Sequence, residues 1–162
     1  MKIVYYIIFV FWYLLSLLPL RVLYVLSDLL FFPIYYLFGY RKKVVRKNLT
    51  QSFPNKNEKV IKTIEKQFYH FLCDYMVETL KLFSMSKEQL KRRMTFGGVD
   101  EIVQKMNTQE KTFCFVYLGH YCNWEWIASL PYWVPEDVLC GQIYHPLYNK
   151  AMDKLFLRLR NQ

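Results

Sequence analysis

Residues 3–20, IVYYIIFVFWYLLSLLPL, run for 18 positions without a charge. A helix of about 20 apolar residues crosses the hydrocarbon core of a bilayer, and slightly fewer suffice. A secretory leader would have an apolar core of only roughly 7–15 residues, followed by a small-residue cleavage site. Here Pro19, Leu20 and Arg21 follow instead, so residues 3–20 are expected to form a retained transmembrane helix. A second apolar segment, residues 22–39, is interrupted by Asp28 and Pro33. A carboxylate at mid-depth in a bilayer is expensive. Of an imperfect span, a re-entrant hairpin and an interfacial helix, the last two together are the favoured expectation. The basic stretch RKKVVRKN follows, with Arg41, Lys42, Lys43, Arg46 and Lys47. Cations beside an apolar anchor mark the cytoplasmic face and also attract anionic lipid, although topology alone explains them. Residues 1–40 therefore read as a membrane anchor and 41–162 as a separate domain.

The formal charge of +9 favours anionic partners. Nucleic acid is the weaker choice, because there is no zinc-finger spacing and no RNA-binding aromatic motif. Cys73, Cys114, Cys122 and Cys140 form no CxxC pair and sit in apolar or aromatic surroundings, so they read as buried, reduced thiols of a cytoplasmic domain. Three histidines and four scattered cysteines make no convincing metal-ligand set.

From Asn57 to Phe83 the apolar residues recur every three or four positions, which predicts one long amphipathic helix. His70, Asp74 and Glu78 lie four apart on its flank and read as a polar edge rather than as metal ligands. Ser86 and Gln89 fit a capping box opening a short helix. Residues 94–100 read as a strand and turn, 100–107 as a helix and 108–111, TQEK, as a turn. Residues 112–119, TFCFVYLG, have the length and composition of a strand buried on both faces. A helix from Asn123 as N-cap, a strand-like run at 138–147 and a basic-ended helix at 149–162 follow. Strand, helix, strand, helix at this spacing predicts an α/β fold with a parallel sheet. Only about two or three strands can be counted where four to six are usual, so the chain, which stops at Gln162, is expected to be a truncated part of a longer protein.

GHYCNWEW, residues 119–126, then stands at the carboxyl end of a strand, where ligand crevices form in such sheets. A general base needs a partner that fixes its tautomer. His120 and Glu125 are five apart and would face different sides of a continuous helix. They can meet only if His120 is still in the turn. Glu125 would then orient the imidazole, and a substrate hydroxyl, lacking any serine partner, would be the nucleophile. Spacing alone is weak support; the anchor and the basic collar add to it. Trp124, Trp126 and Trp133 would line an apolar groove or pack in the core.

GHYCNWEW resembles the first block of the lysophospholipid acyltransferase superfamily, and more narrowly the late lipid A acyltransferases of the lauroyl/myristoyl branch, with their His-x-Gly-Asn-Trp-Glu pattern. RKKVVRKNLTQSFPN resembles that branch's Arg-x-x-Val-x-x-Asn-Leu-x-x-x-Phe-Pro stretch. FGGVDEI resembles its region before the catalytic strand, and IYHPLYNKAMDKLFLRLRNQ its Tyr-Arg-Pro…Asn…Asp…Arg segment. The resemblance spans nearly the whole chain. It implies an incomplete glycerol-phosphate-acyltransferase-like α/β domain that continues past Gln162. It implies His120 as general base and Glu125 as its orienting partner, with Asn123 and Trp124 shaping the turn. Arg160, or failing it Arg158, would hold a phosphate or donor group, and Tyr144 and Asn149 fit the surrounding motif. For both arginines a helix C-terminus that favours cations is explanation enough. Cys122 stands where the branch usually has glycine, which matters if the turn needs a positive φ. His145 stands where arginine is frequent, which weakens any phosphate contact there. A Cys122 thiol nucleophile is the less favoured chemistry.

The function so implied is transfer of a fatty acyl group from an acyl carrier protein or coenzyme A thioester to a hydroxyl of a lipid A precursor. No other cofactor is implied. The location would be the bacterial inner membrane, with the domain on its cytoplasmic face. The alternatives are an acyltransferase for another lysophospholipid or aminolipid acceptor, and an inactive truncated scaffold that binds lipid.

Overall fold

The computed structural model describes residues 2–109 and 113–161. Of the expected turn at 108–111, Glu110 and Lys111 lie outside the described residues, as does Thr112 of the strand-like run. Helix α1 spans Lys2–Ser16, α2 Leu20–Phe32, α3 Lys42–Ser52, α4 Glu58–Lys81, α5 Lys87–Arg93, α6 Val99–Thr108 and α7 Lys150–Arg160. A π-helical turn, Pro33–Phe38, continues α2, and a 3-10 segment occupies Trp124–Tyr132. The structure is 69% helical, and no strand occurs among the described residues. The expected sheet is therefore not seen. Residues 113–121 run without helix or ladder pairing, and Phe113, Phe115 and Tyr117 are largely exposed rather than buried on both faces. Leu139 and Ile143, in the second strand-like run, are almost fully exposed, and of the cysteines expected to be buried Cys73 is, whereas Cys114 and Cys122 are exposed. Strand composition specifies a strand only when another backbone completes the ladder.

The apolar N-terminus is also divided differently from the sequence expectation. Helix α1 stops at Ser16, and Pro19, without an N–H, stands at the N-cap of α2. Proline disfavours helical backbone in the residue before it, and residues 3–20 are divided between two helices. At 15 residues, α1 is about 22 Å long, short of the ~30 Å hydrocarbon core. Among the described residues, the helix long and apolar enough to cross a membrane is instead Leu20–Phe38, of 19 residues.

The chain forms two compact units, residues 15–81 and residues 1–14 with 82–162, so the sequence boundary at 40 falls inside the first of these. In the 15–81 unit, α2 and the π turn run antiparallel to α4. Asn57 caps α4, its Oδ1 accepting from Val60 N at 3.0 Å. Along its buried stripe lie Ile61, Tyr69, Cys73 and Val77. The polar flank faces α2: Glu78 accepts from Tyr24 at 2.8 Å, and Asp74 accepts from Ser27 at 2.6 Å. His70 stacks on Phe31 with ring centroids 3.7 Å apart and lies 3.8 Å from Asp28. Lys81 closes the bundle by donating to the carbonyls of Ser16 and Leu18 at 2.7 and 3.1 Å, groups that a helix end leaves unpaired.

Glu65 is fully buried in this unit and accepts from Tyr35 at 2.9 Å and from both Nε and Nη2 of Arg46. The Arg46 hydrogen bonds hold its carboxyl below the ordinary glutamate range, against the opposing pull of burial. Removing one partner of a buried pair leaves an uncompensated charge, so Arg46→Met is expected to destabilise the fold by about 3 kcal/mol at neutral pH. Because the folded value is depressed, the pair stabilises at pH above the unfolded glutamate value and less as pH falls through the folded one. Chemical denaturation across that window should show the gap between wild type and Arg46→Met narrowing with acid.

In the other unit, Tyr5, Phe9 and Tyr13 form a stacked ladder along α1, and Phe83 packs edge-on against Phe9 and Trp12. Helix α7 lays its cations on that ladder, with Lys154 over Tyr5 at 4.5 Å and Arg158 over Phe9 at 4.0 Å. The capping box expected at Ser86 and Gln89 is present and opens α5. Helix α5 faces the 3-10 segment through Lys87 over Tyr132 and Lys91 over Trp133.

Candidate active site

The stretch 119–126 adopts a turn followed by the 3-10 segment rather than an α-helix. Tyr121 N donates to Gly119 O at 2.9 Å, and Trp126 N to Asn123 O at 3.3 Å. Pro131 lies inside the segment and supplies no N–H for an i→i−4 ladder. Asn123 occupies the expected N-cap position, but its side chain makes no capping hydrogen bond. Cys122 has φ of +52°, so the turn does require the left-handed region where the sequence pattern favours glycine. That backbone costs a residue with a Cβ roughly 1–2 kcal/mol. Cys122→Gly is therefore expected to stabilise this unit by about 1 kcal/mol, after allowing for glycine's greater freedom when unfolded. A thermal melt should show a midpoint about 3 °C higher.

His120 is exposed, and its ring meets Trp124 edge-on, with centroids 4.8 Å apart. Glu125, from the first turn of the 3-10 segment, is 5% exposed. Both its oxygens are taken by Arg160 from the last turn of α7: Nη2 donates to Oε1 at 2.8 Å and Nε to Oε2 at 3.0 Å. This is the bidentate fork that guanidinium and carboxylate geometry favour. Among the described residues there is no hydrogen bond between His120 and Glu125. The sequence named all three residues but paired Glu125 with the nearest histidine in the chain. The partner in the fold is 35 positions away, a separation that no local pattern encodes.

The remaining candidates divide between this cluster and structural roles. Tyr144 lies beside Arg160, whose guanidinium is 5.6 Å from the ring centroid, with Phe156 at 5.5 Å on the same cation. Arg158 is not at Glu125 but stacked on Phe9. Asn149 is the N-cap of α7, its side chain accepting from Ala151 N and Met152 N at 3.0 and 3.2 Å. Asp153 in the first turn of α7 accepts from Leu147 N at 2.8 Å and fastens the preceding loop. Ser129, buried beside Glu125 in the segment, donates to Trp126 O at 2.7 Å. The indole N–H groups of Trp126 and Trp133 are buried with no hydrogen-bond partner among the described residues.

Chemically, the cluster offers an exposed imidazole on an aromatic support and a fixed, desolvated carboxylate–guanidinium pair five residues further on. The family model described as bacterial lipid A biosynthesis acyltransferase matches residues 1–162. No curated protein and no solved structure matches the chain.

Proposed function

The chain belongs to the bacterial lipid A biosynthesis acyltransferase family, whose members carry out acyl transfer in lipid A biosynthesis, and on that basis we propose that it moves a fatty acyl group from an acyl carrier protein or coenzyme A thioester to a hydroxyl of a lipid A precursor. The observation that carries this reading is the family match over residues 1–162. In the proposed reaction an imidazole nitrogen of His120 takes the proton of the acceptor hydroxyl as its oxygen attacks the thioester carbonyl. The tetrahedral oxyanion collapses, the carbon–sulfur bond breaks, and the departing thiolate recovers the proton from His120. The exposure of His120 supports this role, since a base must reach its substrate. Glu125 is the proposed orienting partner: each carboxylate oxygen has two acceptor sites, so its bonds to Arg160 leave capacity for an imidazole N–H. Catalytic hydrogen bonds of this kind commonly tighten only when substrate binds. Arg160 and Tyr144 would place the donor or a phosphate beside the carbonyl; Trp124, packed against His120, would support the imidazole.

The proposed site of action is the cytoplasmic face of the inner membrane. Helix α2 is fastened lengthwise to α4 through Asp74 and Glu78, and carrying those carboxylates to mid-bilayer would be expensive. An in-plane position for residues 20–38 follows, with the exposed Val25, Leu29, Phe32 and Leu37 in the lipid. The α/β sheet belongs to the same proposal; the strand composition of 113–118 and 139–144 supports it.

The test is acyl transfer by the reconstituted chain, with each thioester offered against a lipid A precursor and against a lysophospholipid. Product only from the lipid A precursor supports the reading. Product only from the lysophospholipid moves the chain to the other acceptor class, and no product from a folded chain that still binds lipid vesicles favours the lipid-binding scaffold.

A further inference from the structure

Helix α3 carries an open cleft of about 880 Å³ whose lining includes Arg41, Lys42, Lys43, Arg46, Lys47 and Glu65. We propose that this cleft binds the phosphate-bearing headgroup of an anionic membrane lipid. Five cations face one carboxylate there, and that carboxylate is already satisfied by Arg46 and Tyr35. Lys42 is drawn aside, its Nζ 3.7 Å from the Tyr35 ring centroid and donating to Tyr35 O at 3.4 Å. Arg41, Lys43 and Lys47 are exposed and have no ion-pair partner among the described residues. Like charges held this close repel one another unless an anion sits between them.

The backbone sets the cations there at some expense. Arg41 stands at the N-cap of α3 with φ of +51°, in the left-handed region, and makes no capping bond. Glycine would fit that position without strain. Directly before the cleft, Phe32, Leu37 and Phe38 are 58%, 67% and 78% exposed. Exposed apolar side chains just upstream, in the chain, of a cationic cleft suit a ligand that joins an acyl chain to a phosphate. A free phosphate or a nucleotide would use the cations and leave those side chains in water, so the lipid is the better fit. The cleft lies wholly within residues 39–65, in the 15–81 unit, and the inference goes beyond the acyl-transfer reading without depending on His120.

The test is flotation of the full chain with three kinds of vesicle: neutral phosphatidylcholine, the same with a minority of phosphatidylglycerol, and the same with cholesteryl hemisuccinate at equal surface charge. Wild type is expected to prefer the phosphatidylglycerol vesicles. Replacing Arg41, Lys43 and Lys47 together with glutamine should weaken that binding about 30-fold or more, given what each cation contributes near an anionic surface. Replacing Arg92, Arg93 and Lys105, exposed cations of α5 and α6, should weaken it far less. Arg41→Gly separates binding from folding, because it should raise the melting temperature while lowering binding. Equal losses in the two triple variants, or equal binding to the hemisuccinate vesicles, would reduce the effect to diffuse charge attraction and overturn the proposal. Inorganic phosphate bound as tightly as the phosphatidylglycerol vesicles, with no gain from the acyl chains, would overturn the lipid as the ligand. Acyl-transfer activity is read separately, so either idea can fail alone.

Discussion

His120→Ala is expected to lower the rate of acyl transfer about 1,000-fold, within the ~10²–10⁴ that a lost general base removes. The loss should fall on kcat, because the imidazole acts on the proton as the hydroxyl attacks and adds little to ground-state binding. The fold should be untouched. His120 is exposed and meets the edge of the Trp124 ring, so the melting temperature should move by no more than about 1 °C. Added imidazole should restore part of the rate in the alanine variant. Wild-type activity in His120→Ala, with the fold intact, would remove the histidine from the chemistry.

Arg160→Met has the largest expected effect on stability. The Glu125 side chain is 4% exposed, and both its oxygens accept from Arg160, whose own side chain is 21% exposed. Truncating the guanidinium strands a buried carboxylate, which typically costs about 3–5 kcal/mol. For a chain of this size that corresponds to a drop of about 10 °C in melting temperature. Glu125→Gln in the same background removes the charge that was stranded and should recover about half of the loss. The coupling between the two substitutions, read from a double-mutant cycle, should exceed about 2 kcal/mol. Additive effects would mean that the fork is incidental and that the arginine matters through Tyr144 and Phe156 instead.

The parts of the molecule that were legible in the sequence are those governed by local physics. The stripe from Ile61 to Val77 became α4, and Ser86 with Gln89 became a capping box, because 3.6-residue periodicity and cap chemistry act over a few positions. The glycine expected at position 122 by resemblance corresponds to a real left-handed turn, occupied here by cysteine. Pro19 breaks the helix, yet the absence of charge on both sides of it gives the sequence the pattern of one continuous span. The apolar run after Thr112 has strand composition, yet a ladder depends on backbone elsewhere, and none pairs with it among the described residues. The 3-10 geometry of Trp124–Tyr132 and the reach of Arg160 to Glu125 are tertiary outcomes, set by how α5 and α7 pack rather than by any spacing within the segment.

The role of His120 separates two routes that leave different traces on the protein. In direct transfer the lipid hydroxyl attacks the thioester and the enzyme is never acylated. In a covalent route the Cys122 thiol, two residues from His120, would carry the acyl group. A single-turnover experiment with radiolabelled acyl carrier protein thioester, quenched at intervals and resolved into donor, protein and lipid, follows the label. The expected result is passage from donor to lipid with none on the protein, at a rate that His120→Ala slows about 1,000-fold. Label that appears on Cys122 and then drains into lipid, or an undiminished rate without His120, would contradict the direct mechanism.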